Sequence, residues 1–287
     1  MFNNYNKNIK KAYDAISDAE NIVIGVGSGL SAAGGLNYES PEFFKEHYPQ
    51  YARLGYKTIG EIMGKFWMNI DKENACKYWG FWSHHINEIR YKTPATEPYL
   101  NLYKLVKDKN YYIISTNVDY QLEKAGFSQD KIFEPQGQYS QFQCITPCSN
   151  EVYYNEKYIK SMVKNKVDDY TISSDDIPYC PNCGEFLIQN LRCDNRFVEE
   201  PNYKNYNNYV EFIKDSLDKN TVLLELGVGY NTPTIIRFPF EQYSYRYLNM
   251  TLIRMNLGDA RIPSEINKRI SIDNDLNKSL KDIVGLI

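Results

Sequence analysis

The chain has 287 residues, of which 43% are hydrophobic and 24% charged, and its formal net charge is -3. This composition is ordinary for a globular protein, and without a basic footprint a nucleic-acid-binding function is not expected. No apolar stretch approaches the roughly 18 residues of a membrane span, and residues 1–7 lack the apolar core of a secretory signal. We therefore expect a cytoplasmic protein without membrane contact.

The chain begins with an amphipathic helix, predicted over residues 8–20 from the helical spacing of its apolar side chains. The β-branched run at 21–26 is typical of a buried parallel strand, and a glycine-rich turn follows it at once. Residues 41–90 are aromatic and mostly helical in character. Their tryptophans are predicted packing anchors: Trp67, Trp79 and Trp82.

The later elements continue this alternation. A helix is predicted over 99–107 and a second buried strand over 111–116. A polar stretch at 139–217 follows, and strand character returns at 221–227 and 248–256. Strands that alternate with helices predict an α/β fold, a Rossmann-like parallel sheet with helices on both faces.

The polar stretch predicts an inserted small domain. We assign residues 1–138 and 218–287 to the Rossmann-like, nucleotide-binding domain, in which residues 38–95 form a helical portion. Residues 139–217 form the small domain, which holds most of the cysteines. In a reducing compartment cysteines are better explained by metal binding than by disulfides.

The cysteine spacing predicts a structural zinc site in the small domain. Cys144 and Cys148 form a C-x3-C pair, and Cys180 and Cys183 form a C-x2-C pair. Four thiolates complete the tetrahedral coordination of zinc, which leaves no open position for chemistry. A module this small needs the metal to fold. The two remaining cysteines are expected to be buried thiols.

A glycine-rich loop over residues 25–36 follows the first strand and is expected to open a helix. Glycines there allow the backbone to approach a pyrophosphate, whose charge favours free amide groups. The loop alone is a weak signal, because plain tight turns also contain glycines after strands. Its spacing differs from the ordinary dinucleotide fingerprint, and no acidic residue is clearly placed for a ribose.

Three segments together resemble the sirtuin family. Gly27-Ser28-Gly29-Leu30-Ser31-Ala32, followed by Gly35-Leu36, is similar to the sirtuin glycine loop. Thr116-Asn117-Val118-Asp119 looks like the Gln-Asn-Ile-Asp segment, and the four cysteines stand where the family has its zinc ligands. The order and spacing fit from about residue 8 to residue 275.

The resemblance implies that NAD is the co-substrate. Residues in the positions of the family's NAD contacts are Gly27, Ser28, Gly29, Ala32, Gly35, Leu36, Asn117, Asp119, Gln136, Gly227, Val228, Gly229, Asn231 and Asn256. Asn117 and Asp119 would hold the nicotinamide end and its ribose, which is sensible because bond cleavage at C1′ needs fixed polar groups. From the residues alone, this pair also fits a helix N-cap after a strand.

The sequence departs from a deacylating sirtuin at three places. The family's general-base histidine is replaced by Gln136, which cannot accept a proton near neutral pH. Asn37-Tyr38 stands in place of the segment with the nicotinamide-covering Phe. Arg192 stands where the family has apolar residues that bind an acyl-lysine, and a guanidinium there suits a polar or anionic acceptor. The alternative is that Arg192 is an ordinary exposed surface arginine without a role in binding.

These departures resemble the macrodomain-linked, class M sirtuins, whose members are protein ADP-ribosyltransferases. The resemblance implies a lipoyl-carrier protein similar to glycine-cleavage H protein as acceptor, a macrodomain hydrolase as functional partner, and a redox-response setting. The predicted catalytic residues are Asn117, Asp119, Gln136 and Arg192. The alternatives are an NAD-dependent deacylase that tolerates Gln136, an inactive NAD- or ADP-ribose-binding module, and a nonspecific NAD hydrolase.

Overall fold

The computed structural model describes residues 2–67 and 69–287. Its strands are β1 (Asn21–Val26), β2 (Asn110–Ser115), β3 (Ile132–Phe133), β4 (Gly137–Cys144), β5 (Tyr153–Tyr154), β6 (Leu187–Leu191), β7 (Thr221–Leu226), β8 (Met250–Asn256) and β9 (Arg269–Asp273). A six-stranded parallel sheet has the order β3-β2-β1-β7-β8-β9, and a three-stranded antiparallel sheet has the order β5-β4-β6.

The helices are α1 (Phe2–Asp18), α2 (Ser28–Ala33), α3 (Pro41–His47), α4 (Pro49–Ala52), α5 (Ile59–Lys65), α6 (Ala75–Ile86), α7 (Glu97–Val106), α8 (Gln121–Lys124), α9 (Glu156–Lys164), α10 (Tyr206–Asp215), α11 (Arg237–Arg246) and α12 (Leu276–Val284). A π-helical turn at Asn87–Lys92 continues α6. Within the described residues no helix is both long and apolar enough to cross a membrane.

Alternating side chains of the central strands pack on opposite faces of the parallel sheet. Along β1, Ile22 and Ile24 lie in a core with α1, α7 and α12, whereas Val23 lies in a second core with α10 and α11. Both faces are therefore covered, which explains why every residue of β1 is buried and most are apolar. The predicted Rossmann-like fold with helices on both faces is confirmed.

The four predicted strands correspond to β1, β2, β7 and β8, with ends that differ by up to two residues. The sheet has two further strands that the sequence patterns did not predict. β3 has only two residues, which is too short for any periodicity. β9 lies at the sheet edge and has only two buried residues, so it lacks a continuous apolar run.

A third core joins the aromatic helices to the antiparallel sheet. Trp79 and Trp82 are fully buried in it, and the ring centroid of Trp79 lies 4.8 Å from that of Phe142 in β4. Trp67 is 40% exposed, and its ring centroid lies 6.0 Å from that of Trp82, so it packs at the edge of this core. α10, at the end of the predicted small domain, packs on β2 and β3 of the large sheet. The domain boundaries stay predictions.

Candidate active site

A cleft of about 380 Å³ opens at the carboxyl ends of β1 and β2. Its walls come from the glycine-rich loop after β1, the segment Thr116–Asp119 after β2, and one residue after β7. β1 lies between β2 and β7, so the strand order reverses at this point. In open α/β sheets such a reversal is where the loops separate and a ligand can bind.

Many of the predicted NAD contacts line this cleft. They are Ser28, Gly29, Ala32, Leu36, Asn117, Asp119 and Asn231. The other predicted contacts are not among its lining residues: Gly27, Gly35, Gln136, Gly227, Val228, Gly229 and Asn256. The structure therefore brings the glycine-rich loop and the Asn117–Asp119 segment together at one cleft. Of the residues predicted to contact the adenosine half of NAD, only Asn231 is among the lining residues.

Glycines in two loops allow those loops to touch. A Cβ on Gly27 would lie 2.5 Å from the carbonyl oxygen of Gly227, and one on Gly29 would lie 2.7 Å from the Gly227 Cα. Gly227 itself has a φ of 62°, and its carbonyl accepts a 2.9 Å bond from the Gly29 amide. Glycine is thus required at these positions because the loops after β1 and β7 contact each other too closely for a Cβ atom.

The Asn117 side chain is fixed by hydrogen bonds from the cleft floor. Its Nδ2 lies 2.9 Å from the Gly27 carbonyl oxygen, 3.1 Å from Ser31 Oγ and 2.9 Å from Tyr99 Oη. Asn117 is 9% exposed. A carboxamide held this firmly costs little to reorganise when a ligand binds.

Asp119 belongs to the same network. Its Oδ2 accepts a 2.5 Å bond from Ser31 Oγ, and its Oδ1 accepts a 3.1 Å bond from the Gln121 amide at the start of α8. Burial raises the pKa of Asp119 above its ordinary value, although these bonds and Lys124 oppose the rise. Asp119 therefore supports a helix start as well as the cleft. The N-cap residue of α8 is Tyr120, so neither Asn117 nor Asp119 is the N-cap, although Asp119 accepts a bond from the first residue of the helix.

Gln136 and Arg192 lie next to each other but are not among the lining residues of the cleft. The Gln136 carbonyl oxygen accepts a 3.0 Å bond from the Arg192 amide. The Arg192 guanidinium is 45% exposed and lies 3.1 Å from Tyr203 Oη and 3.8 Å from Glu199. Their predicted catalytic roles stay predictions.

A buried arginine supports the loop that follows β7. Arg237 Nη1 donates to the Val228 carbonyl oxygen at 3.2 Å, and its guanidinium lies 4.2 Å from the centroid of the Tyr230 ring. Asn256 Nδ2 donates to the same carbonyl at 3.2 Å. In this structure Asn256 thus shapes the loop, which ends beside the cleft residue Asn231.

Several cleft residues were missed as site residues. They are Ser31, Asn37, Tyr38, Glu39, Thr116 and Val118. Ser31, Thr116 and Val118 lie inside the segments that resemble sirtuins, so their position was the available signal. Tyr99 supports Asn117 from α7, where helical spacing marks it only as a core residue.

The predicted cysteine cluster is confirmed. The Sγ atoms of Cys144, Cys148, Cys180 and Cys183 all lie within 4.8 Å of one another. The Cys144–Cys183 pair is at 3.5 Å and the Cys148–Cys180 pair at 3.6 Å. Zinc–sulfur bonds of about 2.3 Å in a tetrahedron put sulfur atoms roughly 3.8 Å apart, so the cluster fits one structural zinc ion. The remaining Cys76 and Cys193 are half-buried, not buried as expected.

Comparison with protein-family models gave no match. Among curated proteins, a Staphylococcus aureus (strain Mu50) protein named protein ADP-ribosyltransferase is 31% identical over 266 residues, which cover 92% of this chain and 82% of that protein. A Fusarium oxysporum protein named probable bifunctional ADP-ribose hydrolase/ADP-ribosyltransferase is 26% identical over 88% of this chain and 43% of its own length. The Schizosaccharomyces pombe NAD-dependent histone deacetylase sir2 is 26% identical over 59% of this chain and 32% of its own length.

Solved structures share the fold. A Sir2 homologue in complex with NAD has a TM-score of 0.60 at 15% identity, with 96% of this chain and 93% of that chain covered. A mutant Sir2 homologue in complex with ADP-ribose has a TM-score of 0.62 at 14% identity, with 96% and 95% covered. At such identities the likeness concerns the fold alone.

Proposed function

This chain belongs to the sirtuin family, and from that membership we propose that it transfers ADP-ribose from NAD to a protein, with release of nicotinamide. The observation that carries the proposal is the 31% identity, over 92% of this chain, to a protein ADP-ribosyltransferase. The cleft supports it, because Asn117 and Asp119 meet there at the carboxyl ends of the strands.

The proposed reaction breaks the bond between the nicotinamide nitrogen and C1′ of the ribose. A new bond forms between C1′ and an atom of the acceptor, whose proton is lost, while nicotinamide leaves with the bonding electron pair. Asn117 orients the nicotinamide end, and Asp119 keeps Asn117 in place through their shared partner Ser31. Fixed dipoles of this kind stabilise developing charge without reorganisation.

The acceptor that we propose is a lipoylated carrier protein similar to glycine-cleavage H protein, which would place the chain in the macrodomain-linked class M. A macrodomain hydrolase that reverses the modification is the proposed functional partner, and the cytoplasm is the proposed location. The Fusarium relative, whose name combines an ADP-ribose hydrolase with an ADP-ribosyltransferase, supports this pairing.

None of the chain's three histidines lines the cleft. A deacylase needs a general base that commits its intermediate to hydrolysis, and loss of such a base costs about 10²–10⁴-fold in rate. This observation favours the transferase over the deacylase. The deacylase stays the second candidate because of the resemblance to the fission-yeast sir2 protein.

The test is mass spectrometry of a lipoylated carrier protein incubated with the enzyme and isotopically labelled NAD. We expect a mass increase of one ADP-ribose on the carrier and stoichiometric nicotinamide. Asn117→Ala should abolish both products, whereas Asn208→Ala, on the exposed face of α10, should retain them. Removal of an acetyl group from an acetylated peptide, without carrier labelling, would favour the deacylase.

A further inference from the structure

Tyr120 directly follows Asp119 and has a left-handed backbone, with φ 68° and ψ 16°. Among the described residues it is the only one other than glycine with a positive φ. The Cβ atom of a tyrosine makes this conformation costly, so it persists only where the surrounding structure holds it. Backbone outliers of this kind concentrate at active sites.

The hydrogen bond between Asp119 and α8 spans this residue. Asp119 Oδ1 accepts the 3.1 Å bond from the Gln121 amide, and Tyr120 lies between the two partners in the chain. The direction of the Gln121 amide therefore depends on the Tyr120 backbone. If Tyr120 relaxed to a negative φ, this amide would turn away from Asp119, whose other oxygen accepts from Ser31. The left-handed turn thus fixes one end of the network that holds Asn117.

Arg90 covers the ring of Tyr120. Its guanidinium carbon lies 3.9 Å from the ring centroid, and Arg90 is only 8% exposed. Among the described residues Arg90 forms no ion pair within 4.0 Å. A guanidinium that is removed from water attracts an aromatic face more strongly than an exposed one does. This contact is therefore of the kind that can hold Tyr120 in its costly conformation.

A π-helical turn carries Arg90. It spans Asn87–Lys92 and continues α6, whose aromatic side chains are anchored in the third core. Such turns are rare, and they frequently lie at functional sites. Arg90 is one of the buried side chains of the turn, so the turn directs a charged group into the protein, against the ring of Tyr120. Two unusual backbone conformations, a rare helical turn and a left-handed tyrosine, thus meet at a single contact.

The segment that follows the π-helical turn holds α8 as well. The Gln121 side chain donates to the Pro94 carbonyl oxygen at 3.1 Å and accepts from the Thr96 amide at 2.8 Å. Gln121 is fully buried, so these bonds are shielded from water. A Cβ on Gly34 would lie 2.4 Å from Thr96 Oγ1, so the same segment packs against the end of α2. It therefore contacts α8 and α2, the helices that follow the two walls of the cleft.

We propose that Arg90 is a positioning residue of the reaction: by covering Tyr120 it holds the left-handed turn that fixes the Asp119 carboxyl group. The proposal rests on the proposed function, in which Asp119 keeps Asn117 in place. Arg90 is not among the lining residues of the cleft, and no proton or bond passes through it. Its loss should slow cleavage at C1′ more than it weakens NAD binding, because the predicted NAD contacts on the other loops stay in place.

A purely electrostatic role is the alternative for Arg90. Burial raises the pKa of the Glu123 and Glu134 carboxyls, and the charge of Arg90 opposes the rise. In that role Arg90 would act on stability through these carboxyls, whatever the conformation of Tyr120. The two roles therefore differ in their response to a change at residue 120, since glycine adopts the left-handed conformation without support.

The test measures nicotinamide release by Arg90→Met in the full chain. We expect kcat to fall about tenfold, equivalent to about 1.4 kcal/mol, and NAD affinity by calorimetry to change less than about threefold. Arg90→Lys keeps the cation and should recover part of the loss. Lys131→Met is the matched control. It removes a cation that lies 4.6 Å from the centroid of the Tyr111 ring, at the opposite end of β2 from the cleft, and should leave kcat within about twofold.

A second substitution identifies the residue through which Arg90 acts. In the presence of Tyr120→Gly, Arg90→Met should lower kcat less than about twofold, because the turn no longer needs support. An equal loss with and without Tyr120→Gly would overturn the proposal in favour of the electrostatic role. An unchanged kcat in Arg90→Met, or the same loss in Lys131→Met, would also overturn it. Should Arg90→Met fail to fold, Arg90→Lys replaces it in the same comparison.

Amide hydrogen exchange separates this proposal from the proposed function. Exchange of the Gln121 amide reports its bond to Asp119 directly, without any turnover. Arg90→Met should accelerate this exchange relative to amides elsewhere in the core, whereas Lys131→Met should not, and equal rates would refute the positioning role. If the carrier stays unlabelled while the Gln121 amide exchanges faster in Arg90→Met, only the proposed function fails. If labelling is normal but the two variants behave alike, only the positioning role fails.

Discussion

The amide nitrogen of Asn117 and the hydroxyl of Tyr99 lie 2.9 Å apart, and the Tyr99 side chain is fully buried. The same hydroxyl lies 2.7 Å from Ser31 Oγ, which in turn donates to Asp119. Tyr99 thus connects the two predicted catalytic side chains of the cleft floor from below.

Tyr99→Phe should lower the rate of nicotinamide release about fivefold to tenfold, because loss of one hydrogen bond of about 1 kcal/mol loosens Asn117. The aromatic packing of α7 is kept, so we expect the free energy of unfolding to fall by no more than about 1–2 kcal/mol. Steady-state kinetics and urea denaturation measure the two effects. Tyr103→Phe, on the same helix, is the control, and an equal loss of rate there would contradict the assignment.

Gly27→Ala should impair both folding and NAD binding. The added Cβ would lie 2.5 Å from the Gly227 carbonyl oxygen, so the loops after β1 and β7 would have to separate. We expect a loss of about 1–3 kcal/mol in unfolding free energy, as for other overpacked sites, together with weaker NAD binding by calorimetry. Gly64→Ala is the control, because a Cβ there meets open space in α5 and should stabilise the helix by about 0.5–1 kcal/mol. A fully stable, NAD-binding Gly27→Ala would refute the loop contact.

The buried carboxyl of Glu123 should make the free energy of unfolding depend on pH. Burial raises the pKa of its carboxyl from 4.5 to about 7, and neither carboxylate oxygen has a partner within the described part of the chain. A raised pKa means that the folded protein binds more protons than the unfolded one between these values, so this carboxyl lowers stability as pH rises from about 4.5 to 7.

Glu123→Gln removes this titration. The variant's gain in unfolding free energy over the wild type should therefore increase between pH 4.5 and 7 and level off above. Urea denaturation at several pH values measures it, and Glu211→Gln, on the exposed face of α10, controls for the loss of one carboxylate. A constant difference across this range would contradict the buried, protonated state of Glu123.

Zinc should be a stoichiometric component of the protein. We expect one zinc ion per chain by elemental analysis, and Cys148→Ser should reduce this content strongly, because three thiolates bind zinc less tightly than four. Cys76→Ser, outside the cluster, should keep the full content. Loss of the metal should also lower the unfolding temperature, since binding and folding are coupled in such modules. Metal-free protein with unchanged stability would argue against a structural role.

The sequence predicted the parts of the fold that depend on local pattern. β1 and β7 are buried on both faces because helices cover both, and their mostly apolar residues predict a buried parallel strand. The cysteine pairs could be found for a similar reason, since ligand spacing within each pair is local. The edge strand β9 lacks such a pattern because one side of it meets solvent.

The site residues that could not be predicted from the sequence depend on contacts between residues that are far apart in the chain. Tyr99 precedes Asn117 by 18 residues, and nothing in the α7 pattern distinguishes its hydroxyl from that of any other core tyrosine. His85 contacts Tyr139, which follows it by 54 residues, and no local pattern predicts that contact. A backbone hydrogen bond also joins Gln136 to Arg192, and residue spacing in the sequence does not predict it. Partners that are distant in sequence are fixed only by tertiary packing.

The shared core of the aromatic helices and the antiparallel sheet has a mechanical consequence. α6 and β4 pack through Trp79 and Phe142, and Val118, in the segment after β2, is partly buried against the same core. Val118 also lines the cleft, next to Asn117 in the chain. Because a close-packed interior transmits strain, loosening of this core would reach the wall of the cleft as well as the small sheet.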